Sequence, residues 1–571
     1  MGVRGAFRAA RLDRAGGGGD AAAGGRLACL RRPAMNSPRK PAGKARGIRQ
    51  TMSELHIWTG LLAGWLLYAM FLTGTVSYFR DELSAWMRPE LPAAQQRPDP
   101  AEVAQRMIDA LGERHAPGSA QWSIGLPTAR NPAASAFWRG GPRFKSGVFD
   151  AATGNELSAR DTRGGDFFYT FHFNLHYIPT LAGRWIVGLC AMFMLVAIVS
   201  GVITHKKIFA DFFTFRRGKG QRSWLDAHAA LSVLGLPFHF MITYSGLVML
   251  VLLYMPWGAD AAFKTPPERQ ALFAQMSALV PAGPPSGTRV PLAPVGDMFG
   301  QAETRWGKGQ VGRVTVNNPG DAAARVVMVR GEDGRVSVSP RYLVFDGTNG
   351  RLLQEQDAVG PAAETRGVLY ALHLGRFGDT VLRWLYFLVS LAGTAMVGTG
   401  LVLWTVKRRA KLPDPGRPYF GFRLVERLNI AAIAGLSVAM AAFLWGNRLL
   451  PRGVPARADW EIHLFFIAWA LAAAYTAARP PKRAWVELLW LACALLALLP
   501  VLNALVTPRG PWRSLAQGDW VYAGMDLTLW ALAMLHAALA WRTARHKPRG
   551  SPRGEPARAR AAARDAGEPA A

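Results

Sequence analysis

Long apolar runs are the feature that most constrains this chain. Eight of them are about 20 residues long, which is enough to cross a lipid bilayer as an α-helix. They lie at residues 57–79, 182–203, 229–255, 381–405, 428–447, 460–478, 485–506 and 519–541. In hydrocarbon, backbone polar groups must bond within the helix, because no water is available to them. We therefore predict a mainly α, polytopic membrane helical bundle of about eight spans.

The net charge of +29 is concentrated in a few segments. If the spans alternate in direction, these basic segments all fall on one side of the membrane. They are residues 1–50, 205–224, 407–427, 479–483 and 541–571. Cytoplasmic segments next to spans are enriched in Lys and Arg. The pattern therefore predicts that both termini are cytoplasmic and that the charge does not serve nucleic-acid binding.

Two segments of the first 405 residues fall outside the membrane and are predicted to form small α+β modules. In the first, residues 98–111 have a helical pattern, and residues 135–157 have short strands separated by turn residues. The regions predicted from these patterns are as follows: a disordered basic cytoplasmic N-terminus (1–50), a first span (51–80), a first external module (81–180), a second span (181–205), a basic cytoplasmic loop (206–227), a third span (228–255), a second external module (256–380), a fourth span (381–406), a second basic cytoplasmic loop (407–427), an accessory four-helix membrane region (428–541) and a disordered basic cytoplasmic tail (542–571).

The first 405 residues also contain an internal repeat. His56 lies 18 residues before Gly74, and His228 lies 18 residues before Gly246. Eighteen residues make five helical turns, so each histidine shares a helix face with its glycine. Because both copies begin on the cytoplasmic side, the repeat is parallel, with its axis along the membrane normal.

The external segments follow the same repeat. FDAATGNEL at residues 149–157 matches FDGTNGRLL at residues 345–353. His176 and His373 follow these stretches at similar distances, and each precedes a glycine of the next span by 25 residues. The repeat therefore pairs His56 with His228 near the cytoplasmic face, and His176 with His373 near the external face.

Histidines that face each other across a helical bundle are typical axial ligands of a six-coordinate haem iron. Two pairs predict two haem b groups, one near each face, through which electrons cross the bilayer. The first-rank candidates for cofactor binding and iron ligation are His56, His176, His228 and His373. Second-rank ligands are His172 and His239; His239, at mid-depth, would ligate the outer haem with His172, His176 or His373 as its partner. The remaining histidines considered (His205, His463, His536 and His115) are read as interfacial or structural, and no catalytic residue is assigned.

Several other chemistries have no sequence support. The three cysteines, Cys29, Cys190 and Cys493, form no CxxC motif, which disfavours thiol redox chemistry and c-type haem attachment. No GxGxxG motif follows a predicted strand, and no P-loop is present. The electrons must then come from a quinol or from a separate cytoplasmic reductase.

Several motifs resemble the PepSY-associated transmembrane family, in the right order over residues 50–405. They are HIWTGLLAGWLLYAMFLTGTVSYFRDEL, FDAATGNEL, FHFNLHYIPTLAGRWIVGL, SGVITHKKIFADFFTFR and WLDAHAALSVLGLPFHFMITYSGL. This family includes bacterial iron-regulated inner-membrane proteins and ferric-siderophore reductases. The resemblance implies a haem-containing reductase of the bacterial inner (cytoplasmic) membrane, with two periplasmic PepSY-like modules. The implied partners are the lipid bilayer and, as substrate during iron uptake, ferric iron or a ferric siderophore.

Two alternatives to a reductase stay open at this point. One is a non-enzymatic sensor or assembly factor whose PepSY-like modules bind a periplasmic partner. The other is a transporter of iron chelates, with the parallel repeat forming the pathway. The scarcity of charged residues within spans one to four argues against the transporter.

Overall fold

The structure is a computed structural model of the 571-residue chain. It describes residues 47–91, 98–128, 130–140, 143–205, 208–216, 218–278 and 280–546. Nearly all of the N-terminal segment and most of the C-terminal tail predicted to be disordered lie outside these ranges. Residues 542–545 of that tail are instead helical, as the end of the last span. Residues 48–50, the end of that segment, are instead helical, because the first span begins at Ile48.

Helices dominate the described residues. They are α1 (Ile48–Ser77), α2 (Arg80–Trp86), α3 (Pro100–Ala110), α4 (Asp166–Asn174), α5 (Thr180–Thr204), α6 (Ile208–Phe212), α7 (Gln221–Leu234), α8 (Leu236–Met249), α9 (Val251–Tyr254), α10 (Trp257–Ala262), α11 (Pro266–Ser277), α12 (Gly296–Trp306), α13 (Pro361–Leu374), α14 (Thr380–Arg409), α15 (Phe420–Ile430), α16 (Leu436–Leu449), α17 (Arg457–Ala478), α18 (Pro481–Val506), α19 (Pro511–Ala516) and α20 (Trp520–Arg545). Two π-helical turns, Leu111–His115 and Ala431–Gly435, extend α3 and join α15 to α16.

Seven of the described helices are long and apolar enough to cross a membrane, and a bent pair gives an eighth. The seven are α1, α5, α14, the continuous helix Phe420–Leu449, α17, α18 and α20. Each overlaps one of the predicted spans. The chain is therefore a multi-pass membrane protein, as the apolar runs predict.

The third predicted span is broken rather than straight. Helices α7 and α8 meet at Gly235 with a bend of 68°. Pro237 in the first turn of α8 lacks the backbone N–H that a continuous helix would need. Downstream of the break, the helix resumes when the amide of His239 donates to the carbonyl of Gly235 at 2.7 Å.

One antiparallel sheet of seven strands carries the β structure of the described residues. The strands are β1 (Gln121–Gly125), β2 (Ala134–Gly140), β3 (Arg143–Phe149), β4 (Val311–Asn317), β5 (Arg325–Arg330), β6 (Tyr342–Asp346) and β7 (Leu352–Gln356). Their spatial order is β3-β2-β1-β4-β5-β6-β7. Helices α3 and α12 pack on it through a core that includes Met107, Phe149, Met298 and Phe345.

The two external segments, predicted as separate modules, share this sheet. Strand β1 of the first pairs with β4 of the second, and Gln121 lies opposite Asn317. The matched turns are alike: the amide of Gly154 donates to the carbonyl of Asp150 at 2.8 Å, and that of Gly350 to Asp346 at 2.9 Å. The parallel two-fold repeat itself stays a prediction.

Spans five to eight form the accessory bundle, which is bound to the rest of the chain through buried polar contacts. The Arg448 guanidinium lies 3.8 Å from the ring centre of Trp86 in α2 and donates to the Trp86 carbonyl at 2.6 Å. The Trp86 indole in turn donates to Asp526 of α20 at 3.0 Å. These contacts join α2, at the end of the first span, to two accessory helices.

Candidate functional site

Two cavities lie among the first four spans, one above the other. The inner cavity, about 300 Å³, is lined by His56 and His228 at the end that carries the basic loops. The outer cavity, about 370 Å³, is lined by His172 and His373 at the end nearer the sheet. Both volumes lie in the range of small-molecule and cofactor sites.

His56 and His228 face each other in the inner cavity, as predicted. Their ring centroids are 6.1 Å apart, and the ring planes make an angle of 64°. His56 is on α1 and His228 is on α7, so the pair is carried by two membrane-spanning elements.

Both inner histidines are held in one tautomer. Nδ1 of His56 lies 2.8 Å from the carbonyl of Ala197, and Nδ1 of His228 lies 2.9 Å from that of Met396. A carbonyl oxygen only accepts, so each Nδ1 carries the proton and donates it. Each Nε2 therefore keeps its lone pair, which is the state that a metal requires of imidazole.

The outer cavity brings together His172 and His373 rather than the predicted His176 and His373. The ring centroids of His172 and His373 are also 6.1 Å apart, with an interplanar angle of 41°. His172 is near the end of the short helix α4, and His373 is near the end of α13. The second-rank candidate thus occupies the position that the repeat assigned to His176.

The outer histidines are also oriented through Nδ1. His172 donates to the carbonyl of Met70 at 2.7 Å. Nδ1 of His373 lies 3.0 Å from Oγ of Ser245. The Ser245 hydroxyl donates its single proton to the carbonyl of Met241 at 2.6 Å, so it accepts from His373. In all four histidines Nε2 is the nitrogen left for a ligand.

Each of the four histidine rings lies against a glycine of an adjacent helix. A Cβ on Gly74 would lie 2.8 Å from Cε1 of His172, and one on Gly246 would lie 3.0 Å from Cε1 of His373. A Cβ on Gly201 would lie 3.1 Å from Cε1 of His56, and one on Gly400 would lie 3.1 Å from Cε1 of His228. Gly74, Gly201 and Gly400 each come four residues after the residue whose carbonyl accepts from the histidine. The missing side chain opens the helix surface so that an imidazole reaches that carbonyl.

Arginines surround the outer cavity. The six that line it are Arg80, Arg130, Arg184, Arg366, Arg376 and Arg383. Glu82 pairs with Arg130 at 2.8 Å and with Arg383 at 2.6 Å.

Two of these arginines differ from the others. Arg184 donates to the amide oxygen of Asn174 at 2.8 Å, and Arg366 lies over the ring of Tyr370 at 5.0 Å. Neither has a carboxylate partner among the described residues. Their charge is therefore available to an anion; Arg184 is on α5 and Arg366 is on α13.

His176 lies outside both cavities. Its ring stacks on Phe466 of the accessory bundle, with centroids 5.6 Å apart, and lies 4.3 Å from the ring of Tyr177. Burial lowers the pKa of His176, and the positive charge of Arg163 lowers it further. Within the described ranges, His176 has no histidine opposite it on the side of the cavities. The predicted pairing with His373 is therefore not formed, and His176 contacts aromatic rings instead.

His239 occupies the wall between the cavities. The side chain is 1% exposed, and neither ring nitrogen makes a well-formed hydrogen bond within the described part of the chain. It lines the inner cavity, while Phe71, whose ring centroid is 6.3 Å away, lines the outer one. His239 faces none of the four paired histidines, so its predicted role as a mid-depth ligand stays a prediction.

The sequence contained a signal that would have placed His172. Counted back from the following span, His172 precedes Thr180 of α5 by eight residues, and His373 precedes Thr380 of α14 by seven. Counting from the glycines inside the spans favours His176 instead. The roles of Ser245 and Gly400 carried no comparable signal, because they depend on which helices are neighbours.

Comparison with known proteins agrees with this architecture. A family model described as the PepSY-associated TM region matches residues 53–407. The chain belongs to this family. The match covers the four spans that line the cavities, together with the sheet, and confirms the resemblance predicted from the motifs. The PepSY-associated region ends before the accessory bundle.

One relative covers a similar share of the chain. It is "Uncharacterized protein PA4219" of Pseudomonas aeruginosa, which is 30% identical over 387 residues. The alignment covers 64% of this chain and 91% of the relative. This similarity supports the family membership and carries no information on activity.

Proposed function

We propose that the protein is a haem b membrane oxidoreductase that passes electrons across the bacterial inner membrane to reduce ferric iron or a ferric siderophore. The observation that carries the proposal is the presence of two facing histidine pairs with the same ring separation, 6.1 Å, in two stacked cavities. The ligands proposed are His56 with His228 and His172 with His373.

The two pairs fit the dimensions of a bis-imidazole iron site. A metal–imidazole bond is about 2.0–2.1 Å long. Two such bonds on opposite sides of one ion put the ligating nitrogens about 4 Å apart and the ring centroids about 6 Å apart. The rings therefore stand at the separation that one iron between them requires.

The chain's own groups keep the histidines ready for this role. The carbonyls of Ala197, Met396 and Met70 hold three of the Nδ1–H groups, which fixes ring direction and tautomer. The glycines facing the rings let them approach the neighbouring helices closely. When bound, haem would supply one-electron redox chemistry at iron, and the mostly apolar lining of the inner cavity would keep water away from it.

The depth of the two pairs suits passage across the membrane. On α1, Met70, the acceptor for His172, lies 14 residues beyond His56, which corresponds to about 21 Å of helix. Leu67 and Met194 line both cavities, and the contact of Phe71 with His239 closes the wall between them. The two cavities thus share side chains in the wall between them.

The direction of transfer follows from the charge pattern. Lys407 and Arg408 line the inner cavity at the end of the basic loops, which we place in the cytoplasm together with both termini. The sheet then lies in the periplasm, and the outer cavity faces the ferric substrate. A quinol or a separate cytoplasmic reductase is the electron donor, and each electron converts one ferric ion to ferrous iron.

A spectrum of the purified full chain tests the proposal. We expect a red protein with two haems per chain and a low-spin bis-imidazole spectrum that changes on reduction. Ferric chelate added to the reduced protein should reoxidise it. A colourless preparation from haem-replete cells would contradict the proposal, and so would a high-spin spectrum insensitive to the replacement of His228 and His373.

A further inference from the structure

Helix α4 carries His172 and is too short to be stable alone. It spans nine residues, Asp166–Asn174. Isolated helices shorter than about 12–15 residues are marginal in water, and tertiary packing must hold them. Helix α4 packs on α1 and α5, so the position of His172 also depends on what covers its remaining face, which carries Phe167, Phe168 and Phe171.

This phenylalanine face is covered by the accessory bundle. Phe167, Phe168 and Phe171 are 4%, 1% and 4% exposed. The ring of Phe443 in α16 lies 5.0 Å from that of Phe167 and 5.2 Å from that of Phe168. Phe465 in α17 lies 5.1 Å from Phe167. These distances are those of favourable aromatic pairs.

The segment that leads into α4 is held by the same bundle. Arg457 of α17 donates to the carbonyl of Asp161 at 2.8 Å and forms an ion pair with Glu461. Glu461 accepts a hydrogen bond from Thr162. The side chains of Arg457 and Glu461 are 1% and 0% exposed, so the contacts are fully desolvated. Removing a partner from a buried ionic group is strongly destabilising.

The corresponding helix α13, which carries His373, is supported differently. It packs on α8 of the third span. Its Gly367 lies against Ser337 and Ser339, at the sheet side. All of these residues lie inside the region that the family model matches, whereas Phe443, Phe465 and Arg457 lie beyond it.

We infer that spans five to eight serve as a support that positions His172 in the outer cavity. Phe443 and Phe465 are positioning residues that act through α4, and the Arg457–Glu461 pair anchors the segment before it. These contacts thereby determine the occupancy and ligand geometry of the outer site, whereas spans five to eight meet the lining of the inner cavity at other residues, Asn429 and Phe422. The part of this inference that concerns ligand geometry rests on the proposed haem function.

The test uses full-length F443A and F465A, with L489A as the matched control. Leu489 is buried within the accessory bundle, in a cluster with Ala484, Ala492 and Ala540, which contains no residue of α4. The first measurement is hydrogen exchange of residues 166–174, with residues 361–374 as internal reference. We expect exchange in α4 to rise by about tenfold or more in F443A and F465A, and to be unchanged in α13 and in L489A.

The second measurement is the pair of low-spin signals in the electron paramagnetic resonance spectrum. We expect F443A and F465A to weaken or shift the signal that H172A abolishes, and to leave the signal that H56A abolishes. F465L keeps most of the side-chain volume of Phe465, so it should change the outer signal less than F465A does. It replaces F465A in the test if F465A does not fold. Wild-type exchange in α4, or equal changes in L489A, would overturn the inference. A haem-free wild-type protein would overturn the proposed function, while the exchange data would still decide whether the bundle supports α4.

Discussion

The inner and outer histidine pairs reach the same separation by different constructions. The inner pair stands on α1 and α7, which belong to membrane spans, whereas the outer pair stands on α4 and α13, short helices of nine and 14 residues. Helix α1, of 30 residues, holds His56 through its own hydrogen-bond ladder, and α7, although only 14 residues long, packs on the long helix α14. A short helix needs a second layer behind it, and α4 obtains that layer from the accessory bundle.

The two cavities also differ in charge. The inner cavity has Lys407 and Arg408 at its rim, with Arg408 over the ring of Trp404 at 4.0 Å. The outer cavity is lined by six arginines, of which Arg184 and Arg366 have no carboxylate partner among the described residues. The comparison indicates that an inner ligand is held mainly by packing, and that an outer ligand or substrate also meets positive charge.

Removing one ligand from each pair should have the largest effect. We expect H228A and H373A each to lose about half of the bound haem and to slow ferric reduction by roughly 100-fold or more, because either loss interrupts transfer. Haem content and the two low-spin signals are the measurements. H536A is the control, since His536 bonds to Leu532 of its own helix. Equal loss of both signals in either variant would contradict two independent sites.

Filling the glycines should produce a graded effect that distinguishes the cavities. A Cβ on Gly74 would approach His172 to 2.8 Å, closer than the 3.1 Å of Gly201 to His56. We therefore expect G74A to displace the outer ligand and reduce outer-site occupancy several-fold, and G201A to cause a smaller change at the inner site. Haem titration of the two variants measures this, with G524A as a control, because a Cβ on Gly524 meets nothing within 4 Å and Gly524 lines neither cavity. A larger loss of haem in G201A than in G74A would contradict the packing argument.

Neutralising the unpaired arginines should change the outer site alone. Removing positive charge near a redox centre makes reduction harder, so R366Q and R184Q should lower the outer midpoint potential by roughly 20–60 mV. The inner potential should stay within a few millivolts. Potentiometric titration resolves the two sites, and R305Q is the control because Arg305, on α12 at the sheet, lines neither cavity. A shift in the inner potential of equal size would show that the arginines act on both cavities.

Acidification should have the smallest effect, and only near α4. The lowered pKa of His176 means that the unfolded chain, with an ordinary pKa of 6.5, binds the proton more tightly. The stability contributed by neutral His176 is therefore fully present above pH 6.5 and is lost as the pH falls from there towards the lowered pKa. Thermal melts between pH 7.5 and 5 should show a slightly steeper loss in the wild type than in H176F, which keeps an aromatic ring against Phe466. If thermal stability falls equally steeply with pH in the wild type and in H176F, His176 does not contribute to the pH dependence of stability.

The sequence predicts the spans well because apolar length is a local property. It also predicts the inner pair from the matched spacing of 18 residues between each histidine and a glycine, although the break at Gly235 interrupts the helix between His228 and Gly246. The pairing of His172 is missed because the five-residue connection after α4 reverses the chain, so that spacing along the sequence no longer measures depth. The shared sheet is missed because the pairing of β1 with β4 joins residues nearly 200 positions apart.

That pairing has a consequence for how the protein is made. Strand β1 has β2 on one side, but its other neighbour, β4, begins 190 residues after β1. At 5–20 residues per second, synthesis needs about 10–40 s to supply it. During this interval the open edge of β1 is a template for wrong partners. The sheet is completed only after three spans have been inserted, so the chain depends on ordered insertion or a protecting chaperone at that stage of its synthesis.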